Sequence, residues 1–229
     1  MVKKPVLIQF DGAIGAGKTT GINAMVKQLE TVFEPNEVVI ILENVSLWTE
    51  KHTILDGEPK SLLELQYSDP KRWAFTAQVV IFKDGINAMV KTIRNNPNAK
   101  VFLMERGPSS NKLFMELLYE EGKMSEYEYT QNKEWAAMWE ELSPFNPDLH
   151  VVFYPNLDIC MDRITSRSRA GEELIPKPYQ KALIAKHQQM FIEKTLGVPV
   201  LEITSNDFLH DIPAQVELTT YIQQLYFRE

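Results

Sequence analysis

Residues Gly12-Ala13-Ile14-Gly15-Ala16-Gly17-Lys18-Thr19 follow an apolar run, Val6-Leu7-Ile8-Gln9-Phe10, and lead into a helix-like segment from Thr20 to Thr31. Strand, glycine turn and helix in that order admit few folds. The spacing is Gly-x-x-x-x-Gly-Lys-Thr, that of a phosphate-binding loop. Glycines let the backbone turn and come close to phosphate oxygens. Successive amide N–H groups, from Gly12 through Thr20, then face an anion, and the helix N-terminus adds its partial positive charge. In that arrangement Lys18 reaches the β- and γ-phosphates, and the Thr19 hydroxyl is a ligand for Mg²⁺. The alternative, an ordinary glycine turn into a helix, does not account for the Lys-Thr pair. The loop implies a nucleotide and leaves its use open.

With 229 residues, the chain is expected to form one α/β domain spanning 1–229. Net charge is −7, which argues against nucleic acid or an anionic membrane as the main partner. A single cysteine, Cys160, excludes an internal disulfide framework and suggests a reducing compartment. Cys160 lies in a helical pattern and reads as buried filler. No signal, transit or membrane-spanning stretch is evident, so a cytoplasmic protein is expected.

Four further apolar runs read as strands: Glu37–Leu42, Val101–Met104, Leu149–Phe153 and Val198–Ile203. With the first they predict a five-stranded parallel sheet flanked by helices, a P-loop three-layer sandwich. Ligands of such sheets gather at the carboxyl ends of the strands. Glu43 and Glu105-Arg106 follow two of those ends, and an acid in the place of Glu105 is a usual Mg²⁺ partner. Residues 49–61 are polar, with Gly57 and Pro59, and are expected to be a mobile loop. Asp69-Pro70 starts a helix that should run to about Arg94 and be largely buried. Gln78 interrupts its apolar surface, and periodicity alone leaves that residue open between solvent and interior. Helices are also expected over 109–121, 125–142, 156–168, 178–196 and 211–227. Trp135, Met138 and Trp139 read as core or subunit interface. Arg163 and Arg167 share a helix face, and with Arg169 and Gly171 they suggest a phosphate-directed lid over about 163–176. The four histidines show no metal-ligand spacing and read as surface or satisfied residues.

Taken together these blocks resemble the deoxynucleoside kinases, the group with deoxycytidine, deoxyguanosine and mitochondrial thymidine kinases. The likeness runs from Ile8 to Phe208. It is carried by the phosphate loop, Glu43-Asn44-Val45 with Trp48, the stretch Leu62 to Gln78, Glu105-Arg106, Arg167-Ser168-Arg169 with Glu172, and Asn206-Asp207-Phe208. The resemblance implies transfer of the γ-phosphate of Mg-ATP to the 5′-hydroxyl of a deoxynucleoside in nucleotide salvage. It makes Glu43 the general base and Arg106 the residue that holds it. Tyr67 and Glu172 become the 3′-hydroxyl pair, Gln78 the base-reading amide, and Trp48 a pocket wall. Arg163, Arg167 and Arg169 become the lid that neutralises the moving phosphoryl group. Asn206-Asp207-Phe208 becomes the loop around the donor adenine. A homodimer through a helical face is also implied, and helices 109–121 and 125–142 are candidates.

Several positions depart from the family pattern. Gly107-Pro108 stands where Ser is usual after Glu-Arg, Ala77 replaces a Phe before Gln78, and Gly171 replaces an acid in the lid. Met115 stands where a base-stacking Phe is usual, with Phe114 one place away. The Arg and Asp that mark deoxycytidine- and purine-accepting members fall at Gly85 and Asn111, which points to a pyrimidine deoxynucleoside and makes Asn111 a pocket residue. One rival is a thymidylate kinase-like monophosphate kinase, although Glu43 would repel an acceptor dianion. Another is a non-catalytic kinase-like assembly subunit. A GTPase is poorly supported, because Asn132-Lys133-Glu134-Trp135 has no Asp at the guanine-reading position.

Overall fold

The computed structural model describes residues 3–55, 57–143, 145–193 and 197–228, with backbone alone at 52–55, 192 and 193. The chain alternates strands and helices: β1 (Val6–Gly12), α1 (Lys18–Leu29), β2 (Val38–Ile41), α2 (Ser46–Thr49), β3 (Lys51–Leu55), β4 (Glu58–Ser61), α3 (Leu62–Ser68) and α4 (Pro70–Asn95). There follow β5 (Val101–Glu105), α5 (Pro108–Glu120), α6 (Glu126–Leu142), β6 (Leu149–Phe153), α7 (Leu157–Arg167), α8 (Lys177–Gln188), β7 (Val200–Ile203) and α9 (Ile212–Phe227).

Five strands form one parallel sheet in the order β2-β5-β1-β6-β7, as the apolar runs predict. Strand β1 lies at its centre and every one of its residues is buried. It pairs with β5 from Val6↔Val101 to Phe10↔Glu105 and with β6 from Ile8↔Leu149 to Gly12↔Phe153. The chain leaves β1 for one edge, returns to β5, and then crosses to β6 on the other side. That reversal opens a crevice beyond the carboxyl end of β1.

Period-two side chains split the core between the two faces. On one face Ile8 and Phe10 pack with Ile22, Met25 and Leu29 of α1 and with Leu218 and Ile222 of α9. On the other, Leu7, Phe102 and Met104 meet Met89 and Ile93 of α4, while Val152 meets Leu113 of α5 and Leu183 of α8. Helix starts follow local chemistry. Ser61 with Glu64 and Ser125 with Glu128 form capping boxes, and Asp69 caps α4 ahead of Pro70. Among the described residues no helix is long and apolar enough to cross a membrane.

Three expectations change and a fourth narrows. Helix α4, expected to be largely buried, buries only Ala74, Ala77, Gln78, Met89 and Ile93 of its 26 residues. The stretch 49–61 is not an open loop: β3 and β4 form an antiparallel hairpin, with Gly57 at φ 83° between them. The Asp-Gly dipeptide between two short runs is the sequence signal for such a turn, and the polar composition obscured it. Trp135 and Met138 are exposed, which removes the core alternative for them and leaves the subunit interface, while Trp139 packs partly against the α4 side. The helix expected over 178–196 stops at Gln188 and passes into a π-helical turn, Gln189–Glu193; residues 194–196 lie outside the described residues.

Candidate active site

The crevice beyond β1 is framed by the phosphate loop, α3, α4, the start of α5 and the segment after α7. Gly12, Gly15 and Gly17 hold φ values of 140°, 76° and 99°, which side-chain-bearing residues rarely adopt. Space is also short at Gly15, where an added Cβ would lie 2.5 Å from the Cys160 carbonyl oxygen. Cys160 is buried as filler, and burial raises its thiol pKa. Lys18 curls back so that Nζ donates to the carbonyls of Gly12 (3.3 Å) and Ala13 (3.1 Å). Burial, reinforced by the charge of Arg106, brings its pKa down to about 8. The Thr19 hydroxyl donates to Glu105 at 2.8 and 3.0 Å, so the two oxygen donors expected to hold Mg²⁺ are adjacent.

Across the crevice Arg106 donates through one Nη to both oxygens of Glu43 (3.0 and 2.9 Å) and through the other to the Gly12 carbonyl (3.2 Å). Both side chains are 14% exposed. Arg106 itself has φ 57°, and its N–H donates to Phe10 O at 3.0 Å, tying this turn to β1. Burial works against the guanidinium charge, but Glu43 and Glu105 outweigh it and raise its pKa.

The base-reading candidate Gln78 is buried, which decides what periodicity left open. Asn111 Nδ2 donates to Gln78 Oε1 (3.1 Å) and to its backbone carbonyl (3.2 Å), while Asn111 Oδ1 has no partner among the described residues. Trp48 is buried against the same cavity, and its indole N–H donates to Asp84 at 3.1 Å. Phe114, not Met115, faces the cavity, and the Arg106 guanidinium lies 4.9 Å from its ring centre. Met115 is packed in the core. Tyr67 and Glu172 line the cavity together; burial first, and the Glu172 charge second, push the Tyr67 phenol upward.

The arginine segment divides. Arg167 donates through Nε and Nη to both Glu172 oxygens (2.6 and 2.7 Å), and Arg169 lies 3.7 Å from the same carboxylate. Arg163 instead donates to the carbonyls of Gly15 (3.3 Å), Ala16 (3.1 Å) and Asn206 (2.6 Å). It staples the phosphate loop to the Asn206 turn and is not among the cavity-lining residues. In that turn Asn206 Oδ1 accepts from Asn156 N, Asp207 pairs with His210, and Phe208 is buried edge-on to Phe153.

Among the described residues two histidines are interior. His150 is hydrogen-bonded to Asp11, whereas His187 has its Nε2 buried without a partner among the described residues and is held neutral by burial, with a pKa of about 4. Sequence reading missed Asp11, Gln9 and Asp84. A signal existed for the first two, since polar residues interrupt an otherwise apolar central strand.

A phosphate loop facing a paired carboxylate and guanidinium is the layout of a small-molecule phosphotransferase. The chain matches the deoxynucleoside kinase family over residues 8–226 and belongs to it. It is 28% identical over 216 residues to the deoxycytidine kinase of Homo sapiens, covering 90% of this chain and 80% of that one. It is 30% identical over 220 residues to the mitochondrial thymidine kinase 2 of Homo sapiens, covering 94% and 76%. Against deoxycytidine kinase 1 of Xenopus laevis it is 29% identical over 217 residues, covering 90% and 79%.

Proposed function

We propose that this protein transfers the γ-phosphate of ATP to the 5′-hydroxyl of a deoxynucleoside, a pyrimidine one by preference, in nucleotide salvage. The observation that carries the reading is the Glu43–Arg106 pair at the cavity, facing Lys18 and Glu105. Glu43 takes the hydroxyl proton as the new O–P bond forms and the β–γ bridge bond breaks, with ADP leaving. Arg106 holds Glu43 and the acceptor hydroxyl in line. Lys18, with Arg167 and Arg169 swinging from Glu172 as a lid, offsets charge on the phosphoryl oxygens. Thr19 and Glu105 offer hard oxygen donors side by side, which suits Mg²⁺. When bound, that ion supplies charge neutralisation at the β- and γ-phosphates.

Tyr67 and Glu172 bind the 3′-hydroxyl, and Trp48 walls the base. Gln78 reads the base edge while Asn111 holds its amide, an arrangement that penalises a base leaving polar groups unpaired. Arg163, Asn206, Asp207 and Phe208 act at the donor side as supports of the loop around adenine. Tyr127, Trp135, Met138 and Leu142 of α6 are exposed and share one helical face, which supports a homodimer through α6. Sedimentation of the wild type and of Trp135→Lys tests it, a dimer turning to monomer being expected.

The test of the activity is a coupled ADP-release assay with Mg-ATP against four deoxynucleosides, their ribose counterparts and dTMP. Turnover of thymidine or deoxycytidine is expected. A purine-only profile removes the pyrimidine preference. Turnover of dTMP alone moves the protein to the monophosphate kinases, and silence with ATP still bound makes it a non-catalytic subunit.

A further inference from the structure

Beneath the crevice lies a buried polar cluster that no step above uses. Gln9 and Asp11 project from the same face of the central strand, and neither is exposed to solvent. Taking a carboxylate out of water is costly unless partners replace the lost hydration. Asp11 has several. Its Oδ2 lies 3.1 Å from Nδ1 of His150 on β6, and an ionised carboxylate only accepts, so the ring donates. Ser110 Oγ donates to its Oδ1. Gln9 Nε2 spans both carboxylate oxygens (3.2 and 2.9 Å) and also reaches Ser109 Oγ at 2.7 Å and Ser110 Oγ at 3.3 Å. Burial opposes the charge on Asp11, but His150 and Ser110 outweigh it and keep the pKa below the ordinary carboxylate range.

This cluster reaches the turn that carries Arg106. Ser110 Oγ, fixed by Asp11, accepts the N–H of Gly107 at 3.2 Å. Gly107 packs so tightly on the same cluster that an added Cβ would lie 2.3 Å from Gln9 Oε1 and 2.7 Å from Met104 Cε. The backbone at Gly107 is extended, so no dihedral angle demands glycine there, and a larger residue would have to displace the ends of the Gln9 and Met104 side chains. On its other side Arg106 is in the left-handed region, which a non-glycine residue occupies only when its surroundings hold it. Arg106 Nε has no partner among the described residues. The guanidinium therefore depends on its Nη contacts and on the backbone turn beneath it. Asp11 also adds a fixed negative charge near Arg106.

We infer that Asp11 is a positioning residue for phosphoryl transfer: through Ser110 and Gln9 it clamps residues 106–110 and so aims Arg106 at Glu43. The inference rests on the kinase reading for its rate consequence and on geometry alone for the clamp. A misplacement of about 1 Å at the reacting groups can cost on the order of 10²-fold in rate. Asp11→Asn keeps the shape but has a single acceptor oxygen, so it cannot accept from both Ser110 and His150. Its kcat on the preferred deoxynucleoside is expected to fall on the order of 10²-fold, with KM for ATP changed less than about threefold. Ser110→Ala should fall about tenfold and serves if Asp11→Asn does not fold. Combined with Arg106→Lys, the Ser110→Ala loss should largely vanish, because both act on one placement.

An unchanged kcat per folded molecule in Ser110→Ala, or full additivity with Arg106→Lys, overturns the inference and leaves Asp11 a core stabiliser. A wild type silent on every deoxynucleoside counts against the kinase reading instead. In that case the side-chain ¹⁵N–¹H resonance of Arg106 Nε decides the clamp: shifted or broadened in Ser110→Ala supports it, and an unchanged signal overturns it.

Discussion

The two sides of the crevice hold their charges in opposite ways. On one side, Glu43 and Arg106 are mostly buried, and the guanidinium is tied to Gly12 O from a turn bonded to the central strand. On the other side, Arg167 and Arg169 are 30% and 39% exposed and are held by one carboxylate, Glu172. A buried pair keeps its geometry because breaking it leaves an uncompensated charge. In the second group the guanidiniums reach water while Glu172 is only 6% exposed, so they release it at small cost only when another donor takes their place on that carboxylate. Under the kinase proposal, the contrast suits a reaction in which the acceptor hydroxyl needs fixed positioning while the arginines close on a substrate that must enter and leave.

The largest break in that comparison is Glu43→Gln. Single-turnover kinetics should show kcat reduced by roughly 10²–10⁴-fold, the range for a lost general base, while ATP still binds. Next, Arg167→Ala should lower kcat by about 10²-fold, as for one lost charge-stabilising donor. Arg163→Ala, by contrast, should raise KM for ATP with kcat nearly kept, because its partners are backbone carbonyls of the loop and the Asn206 turn. Equal effects of the two arginines on kcat would erase the distinction drawn between them.

Lys18 offers a pH test. Its pKa of about 8 lies below the ordinary lysine value, so the folded protein loses this charge earlier than the unfolded chain does. The kcat/KM for ATP should therefore fall as pH rises through about 8, and Lys18→Arg should remove that limb of the profile. The stability sign is opposite: the unfolded chain binds the extra proton, so Lys18 destabilises the fold below pH about 8 and this is relieved as pH rises toward 10.5. A smaller effect is expected from Tyr67→Phe, which removes one hydroxyl facing Glu172. Acceptor affinity should drop by about 0.5–1.5 kcal/mol with ATP affinity unchanged, as read by isothermal titration. The smallest belongs to the exposed Lys177–Asp158 pair beside α7. Lys177→Ala should shift stability by no more than about 0.5 kcal/mol in urea unfolding.

Much of the framework was legible along the chain. A phosphate loop between an apolar run and a helix, five apolar runs and Ser/Asp caps are local signals, because glycine dihedrals, strand propensity and capping act over a few residues. Glu43, Glu105 and Arg106 could be assigned to the crevice because strand ends are where such sheets place their ligands. Periodicity could not decide Gln78, whose burial depends on Asn111 arriving from a helix 33 positions later. It could not choose between Phe114 and Met115 either, because the rotation of α5 is set by its packing on α4, α6 and α8.

The sequence by itself determined the sheet, the phosphate cradle and the list of charged residues brought to it. Only the tertiary structure decided how those charges pair: Arg163 with loop carbonyls, Arg167 with Glu172, Asp11 with His150 and Ser110. The reason is that a long cationic side chain reaches several acceptors of similar worth in water. Only burial, which makes an unmade contact costly, selects one of them.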